Sequence, residues 1–281
     1  MSLDVTRLAR ALDRHGPVAR IVVAQARGSV PRGAGTEMLV WDGGSDGTIG
    51  GGALEWRAMA MARDVLRSGT ARVERLALGP ALGQCCGGST TLVIERLDAV
   101  PPLPWARRLE GNAPPPPDGT IGWQDGWMVD DAARPHRHVW IWGAGHVGRA
   151  IVDVLSPLPG FAVTWIDMAA DRFPEGDAPD RLIAIDPPQA MPHAPADADH
   201  LILTHSHDLD FGLCHAALTR GFGSCGLIGS ATKWARFRKR LVAMGHSVDA
   251  VDRIACPIGD PKLGKHPQAI AVGVVRCLLS A

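Results

Sequence analysis

The sequence predicts an α/β protein, with a Rossmann-like parallel sheet in its C-terminal half and a smaller N-terminal α/β domain ahead of it. Three observations lead there. From His138 onward, apolar runs of strand length alternate with apolar stripes at helical spacing, as in a parallel sheet covered on both faces. The first of these units places Gly143, Gly145 and Gly148 as G-x-G-x-x-G between a strand and a helix. Before residue 98 the pattern differs: short strands are separated by glycine turns around one long helix with an apolar stripe.

Taken in order, residues 4–15 read as an amphipathic helix with Leu8, Ala11 and Leu12 inward. Asp4 and the charges behind it argue against a secretory leader. Strands are expected at 18–26 and 36–41, joined by Gly28-Ser29-Val30-Pro31-Arg32-Gly33. A glycine-rich turn from Gly43 to Gly52 then opens a helix over about 53–67, striped by Leu54, Ala58, Met61, Val65 and Leu66. Strands at 72–78 and 90–96 flank a loop containing Gln84-Cys85-Cys86-Gly87-Gly88. Residues 98–137 hold eight prolines, four of them consecutive at Pro114–Pro117. Such a stretch is extended and semi-rigid. The expected division is therefore 1–97 as the first domain, 98–137 as a linker and 138–281 as the second domain. A small hairpin about Asp125-Gly126 is expected inside the linker. Beyond it, strands are expected at 139–142, 162–166, 181–185, 200–204, 224–228 and 253–256, with helices at 146–155, 208–220, 231–243 and 267–279.

The glycine pattern has a stated chemistry. The first glycine permits a tight turn, the second lets an anionic ligand approach the main chain, and the third lets helix and strand pack closely. A phosphate held there meets the free N–H groups at the helix start. Asp167 ends the next strand, where a ribose-binding acid is expected. Several ligands suit such a fold, so the pattern alone does not choose one.

Other stretches leave alternatives open. Cys85 and Cys86 could ligate a soft metal, carry sulfur or exchange disulfides, or serve as small packing residues in a turn. Thr204-His205-Ser206-His207-Asp208 follows a strand. It reads as a helix start capped by Ser206 or Asp208, as a ligand contact at the strand ends, or as a metal-hydrolase site using His205 and His207. The hydrolase reading is the poorest match, because Leu209 and Asp210 stand where an acid and a further histidine are needed. Ser230 and Lys233 could hold a phosphate at a helix start or form an ordinary cap. Arg32 and Glu55 sit beside the first-domain glycine turns. No Gly-x-Ser-x-Gly elbow, Walker loop or His-Glu-x-x-His occurs, which favours a carrier over a catalyst.

Composition narrows the class. Lys plus Arg and Asp plus Glu are 29 each among 281 residues, so nucleic acid is not the expected partner. No apolar run reaches the ~20 residues of a membrane span. Six unevenly spaced cysteines look like thiols of a reducing compartment, so the expected location is cytoplasmic.

Together, several motifs resemble the XdhC/CoxI family of accessory proteins for xanthine dehydrogenase and related molybdenum hydroxylases. They are Gly28-Ser29-Val30-Pro31-Arg32, Gly50-Gly51-Gly52-Ala53-Leu54-Glu55, Gln84-Cys85-Cys86-Gly87-Gly88 and Trp142-Gly143-Ala144-Gly145-His146-Val147-Gly148. Thr204-His205-Ser206-His207-Asp208, Ile228-Gly229-Ser230 and Gly264-Lys265-His266-Pro267 follow in order. Some members carry a cysteine where Ala53 stands here, so a thiol role at that loop does not transfer. The XdhC branch is the nearest in pattern. The resemblance implies a chaperone that binds the molybdenum cofactor in its molybdopterin form, without catalysis of its own. It would protect the cofactor while a cysteine desulfurase installs a terminal sulfur, then assist insertion into xanthine dehydrogenase, with self-association as a homodimer. The implied cofactor contacts are Gly143, Gly145, Gly148, Asp167, Arg32, Glu55, His205, His207 and Ser230, with Cys85 and Cys86 toward the metal. The alternative is an NAD(P)-dependent oxidoreductase resting on Gly143, Gly145, Gly148 and Asp167.

Overall fold

Asp4 accepts a hydrogen bond from the Arg7 N–H and so starts the first helix where the sequence places it. In the computed structural model, which describes residues 1–79, 87–133, 136–158, 160–176 and 179–280, the chain divides into two units, Met1–Arg134 and Pro135–Ala281.

The first unit begins with β1 (Ser2–Leu3), α1 (Val5–His15), β2 (Val18–Arg27), β3 (Glu37–Trp41) and β4 (Gly44–Gly47). It continues with α2 (Gly52–Ser68), β5 (Arg72–Ala77), β6 (Ser89–Leu97), β7 (Trp105–Arg108), β8 (Gly122–Gln124) and β9 (Trp127–Ala132). The larger sheet runs β4-β3-β2-β6-β5 and is antiparallel throughout. Because side chains alternate along a strand, Ile21 and Val23 of β2 face α2, meeting Leu54, Ala58, Met61 and Val65. Val22 and Ala24 face the other way, toward Val93 and Met128. The expected glycine turn 43–52 is shorter than read, since its first part pairs with β3 as β4.

The linker expected at 98–137 is corrected by the structure. Its strands β7, β8 and β9 form a sheet with β1 that belongs to the first unit. Seven of the eight prolines occupy the stretches before β7 and between β7 and β8, where no ladder hydrogen bond is lost. What holds the segment down is charge as much as apolar burial. Arg20, fully buried in β2, donates to both carboxylate oxygens of Asp130 on β9 at 2.9 and 3.1 Å and to Glu37 at 2.6 Å. Arg107 on β7 bonds the same Asp130 at 2.6 Å and pairs with Glu95. A buried arginine with no partner is costly, so β2 requires the second sheet. The hairpin turn is where the sequence puts it: Asp125 and Gly126 both have positive φ, 47° and 86°, as a two-residue turn between β8 and β9 demands.

The second unit comprises β10 (Arg137–Trp142), α3 (His146–Leu155), β11 (Phe161–Asp167), β12 (Asp180–Ile183), α4 (Pro187–Ala190) and β13 (Asp199–Ile202). After these come α5 (His207–Arg220), β14 (Cys225–Leu227), α6 (Ala231–Ala243), α7 (Val248–Val251), β15 (Ile254–Ala255) and α8 (Pro267–Leu279). All six strands are parallel, in the order β12-β11-β10-β13-β14-β15. Val139 and Ile141 pack with α3 and α8 on one face. Trp140 and Trp142 pack with Phe211, Leu213, Phe237 and Leu241 on the other. The chain winds outward from β10 to β12, then returns to lay β13 on the opposite side of β10. That reversal opens a crevice at the carboxyl ends of β10 and β13, where open α/β sheets hold ligands.

Candidate functional site

Three glycines shape the turn between β10 and α3, and the first of them, Gly143, lines the crevice. Gly143 has φ 120°, and a Cβ there would lie 2.5 Å from the Leu203 carbonyl oxygen. A Cβ at Gly148 would fall on the Gly143 carbonyl oxygen, so α3 seats against the turn only without one. At Gly145, the cap of α3, a Cβ would meet nothing within 4 Å. The middle glycine therefore keeps the helix start open to approach rather than relieving a clash. The crevice encloses about 240 Å³, including its open mouth, among Trp142, Gly143, Asp167, Met168, Thr204 and His205.

Asp167 ends β11 as expected, but both carboxylate oxygens serve the protein's own main chain. Oδ2 accepts from the Ala144 N–H at 2.6 Å and Oδ1 from the Met168 N–H at 2.7 Å. Arg172 stands 3.7 Å from Oδ1. The acid thus fixes the glycine turn while lying in the crevice wall. On the opposite wall His205 is exposed at the rim, and Ser206 caps α5 by accepting from the Leu209 N–H, which settles the cap on Ser206. His207 is also exposed, its ring edge-on to Phe237 at 6.5 Å. Among the described residues no group of three or more His, Cys, Asp or Glu could hold a metal. Ser230 spends its hydroxyl on capping α6 at Lys233 N–H, 3.2 Å away, and Lys233 turns inward, its amine 2.5 Å from Asp210.

Behind the crevice, fully buried His200 accepts the Trp142 indole N–H at Nδ1, 3.2 Å away. An indole only donates, so the His200 proton sits on Nε2, which is buried without a partner. Burial pushes this imidazole down to about 4, against a smaller opposing pull from Asp199. The ring stays neutral at physiological pH.

In the first unit the glycine motifs converge on one end of the larger sheet. The Gly88 N–H donates to the Ser29 carbonyl at 3.1 Å, and Gly88 fits so closely that a Cβ there would strike the carbonyls of Arg27 and Ser29. A Cβ at Gly50 would lie 2.5 Å from Cβ of Pro31. Glu55, in the first turn of α2, accepts from the Thr48 hydroxyl at 2.6 Å and from the N–H groups of Ile49 and Gly51 at 3.1 and 3.0 Å. Its charge organises the glycine turn. Arg32 is exposed beside it. Cys85 and Cys86 lie outside the described residues. Asp210, central to the second unit, carries no motif of its own, and its pairing with Lys233 escapes sequence reasoning. An acid in the first turn of a helix is common for dipole reasons alone.

Six parallel strands in this order, with the glycine turn at the reversal, make the C-terminal unit a Rossmann domain. Residues 139–276 match the XdhC Rossmann domain, and residues 11–77 match the XdhC and CoxI family. The chain belongs to the XdhC and CoxI family. The uncharacterized protein YqeB of Escherichia coli K12 is 25% identical over 281 residues, covering 98% of this chain and 45% of that protein. The chain thus spans less than half the length of that curated relative. A solved structure described as a xanthine dehydrogenase from Bacillus halodurans superposes with a TM-score of 0.72 over 99% of this chain and 95% of that one, at 19% identity, and shares the fold. Among the described residues no helix is long and apolar enough to cross a membrane.

Proposed function

We propose that this protein is a carrier of the molybdenum cofactor for xanthine dehydrogenase. It holds the phosphorylated pterin while a cysteine desulfurase supplies the terminal sulfur, then releases it to the recipient enzyme from a homodimer in the cytoplasm. The observation that carries this reading is the family match in both units, 11–77 and 139–276. The residues suit a carrier. Gly145 leaves the start of α3 open to a phosphate, and the turns at Gly51 and Gly52 are likewise unobstructed. The metal arrives as cargo, so the protein need not build a metal site of its own. Cys85 and Cys86 are the thiols of the family motif, and their role here is to face the metal or its sulfur. Modest contacts of this kind suit a ligand that must be surrendered.

The test is transfer. Protein purified without oxygen from cells making the cofactor should activate cofactor-free xanthine dehydrogenase, and a Cys85→Ala, Cys86→Ala double variant should do so several-fold less well. Failure of the wild-type protein to transfer would overturn the carrier role. Equal transfer by the double variant would remove only the thiols.

A second reading has one observation in its favour. The strand order and the position of Asp167 at the end of the second strand are those of dinucleotide sites, which supports NAD(P) in the crevice. A titration with NADH and NADPH separates the two readings, because a dehydrogenase should bind one of them at micromolar concentration.

A further inference from the structure

At the carboxyl edge of the second unit, one buried ion pair joins the two turns that sequence reasoning assigns to ligand contact. Asp210 lies in the first turn of α5 and is 1% exposed. Its Oδ1 accepts from the Thr204 N–H at 3.0 Å and the Thr204 hydroxyl at 2.7 Å, while Oδ2 accepts from Lys233 Nζ at 2.5 Å. Lys233 lies in the first turn of α6 and donates again to the Ile228 carbonyl at 3.0 Å. A cation in the first turn opposes the helix dipole, so helix stability does not account for it. A Cβ at Gly229 would lie 2.8 Å from Lys233 Cδ, and the glycine of Ile228-Gly229-Ser230 therefore leaves passage for the lysine stem. The Thr204 hydroxyl, with its proton toward Asp210, accepts the Ser206 N–H at 3.2 Å. The turn that carries His205 into the crevice wall is thereby fixed from beneath.

We propose that Asp210 and Lys233 are positioning residues, a latch that holds Thr204 and His205 as one wall of the crevice. This rests on the reading of the crevice as a ligand site. Buried pairs contribute little net stability compared with apolar residues of similar shape, so the geometry they impose is what distinguishes them from packing. The acceptor at position 210 matters for the wall, whereas the lysine serves to neutralise and aim it.

Two double variants separate positioning from stability. Asp210→Asn with Lys233→Gln keeps an acceptor for Thr204 and a neutral amide pair beneath it. Asp210→Leu with Lys233→Met fills the space without an acceptor. Thr204→Val is a milder third variant, should the apolar pair fail to fold. The readouts are hydrogen exchange of the 203–206 amides, the thermal midpoint, and binding of molybdenum cofactor released anaerobically from a donor xanthine dehydrogenase. The amide pair should keep amide protection and bind within about threefold of wild type. The apolar pair should keep a near-native midpoint, lose protection at Thr204 and Ser206, and bind about tenfold more weakly, as expected for one buried hydrogen-bonded group. Thr204→Val should lose protection at Ser206 alone. Retained protection and affinity in the apolar pair would overturn the latch. If wild type takes no cofactor, the crevice reading fails, and the exchange measurement still decides the latch.

Discussion

Asp167 illustrates how a residue can be found by sequence and yet have a different first task. Its place at the end of a strand after a glycine turn was legible, but its carboxylate is engaged by the N–H groups of Ala144 and Met168. Glu55, Ser230 and Lys233 repeat the lesson, each spending its polar atoms on the protein's own turns. Such partners depend on backbone orientation, which residue spacing does not encode. Asp167→Ala should therefore lower stability by about 2 kcal/mol, the cost of leaving the buried Ala144 N–H without a partner, measured by urea unfolding. His200 gives a pH signature. Unfolded it titrates near its ordinary 6.5, and folded near 4, so below 6.5 the unfolded chain binds a proton the native protein refuses. Stability should fall by about 2 kcal/mol between pH 7.5 and 5 from this group and level off below pH 4. His200→Gln should flatten that slope in unfolding experiments at the two pH values.

For the elements, the helices and parallel strands of the second unit were legible because their apolar periodicity is sustained and their starts are marked. The second sheet of the first unit was not, since β7 and β8 have four and three residues and lie among prolines. The decisive contact, Arg20 with Asp130, spans 110 residues of chain and leaves no local trace. Burial alone would raise the Asp130 carboxyl, but Arg20 and Arg107 hold it below its ordinary value. This group stabilises the unit above the usual carboxylate range, and its contribution is lost only as pH falls through the lowered value. The glycine turn of α3 yields a paired prediction. Gly148→Ala should cost about 1–3 kcal/mol or more, by overpacking against Gly143. Gly145→Ala should leave the thermal midpoint nearly unchanged, because its Cβ enters open space. Equal losses in the two variants would contradict the division of labour between them.

At the scale of the molecule, each unit encloses its own apolar clusters: Ile21, Leu54 and Met128 belong to the first, Trp142, Ile151 and Leu241 to the second. Units with separate cores commonly fold alone, so residues 1–134 and 135–281 expressed apart should each unfold cooperatively. A non-cooperative melt of either would show that it depends on the other. The family was legible from the order of short motifs, while the chemistry of any ligand is something those motifs do not spell out. The most direct measurement of the central claim is the pterin content of the anaerobically purified protein, read by fluorescence after oxidation, for wild type beside Gly145→Val. Near-stoichiometric pterin is expected in the wild type and several-fold less in the variant at an unchanged thermal midpoint. Pterin-free wild type, or equal loading in the two, would contradict that claim.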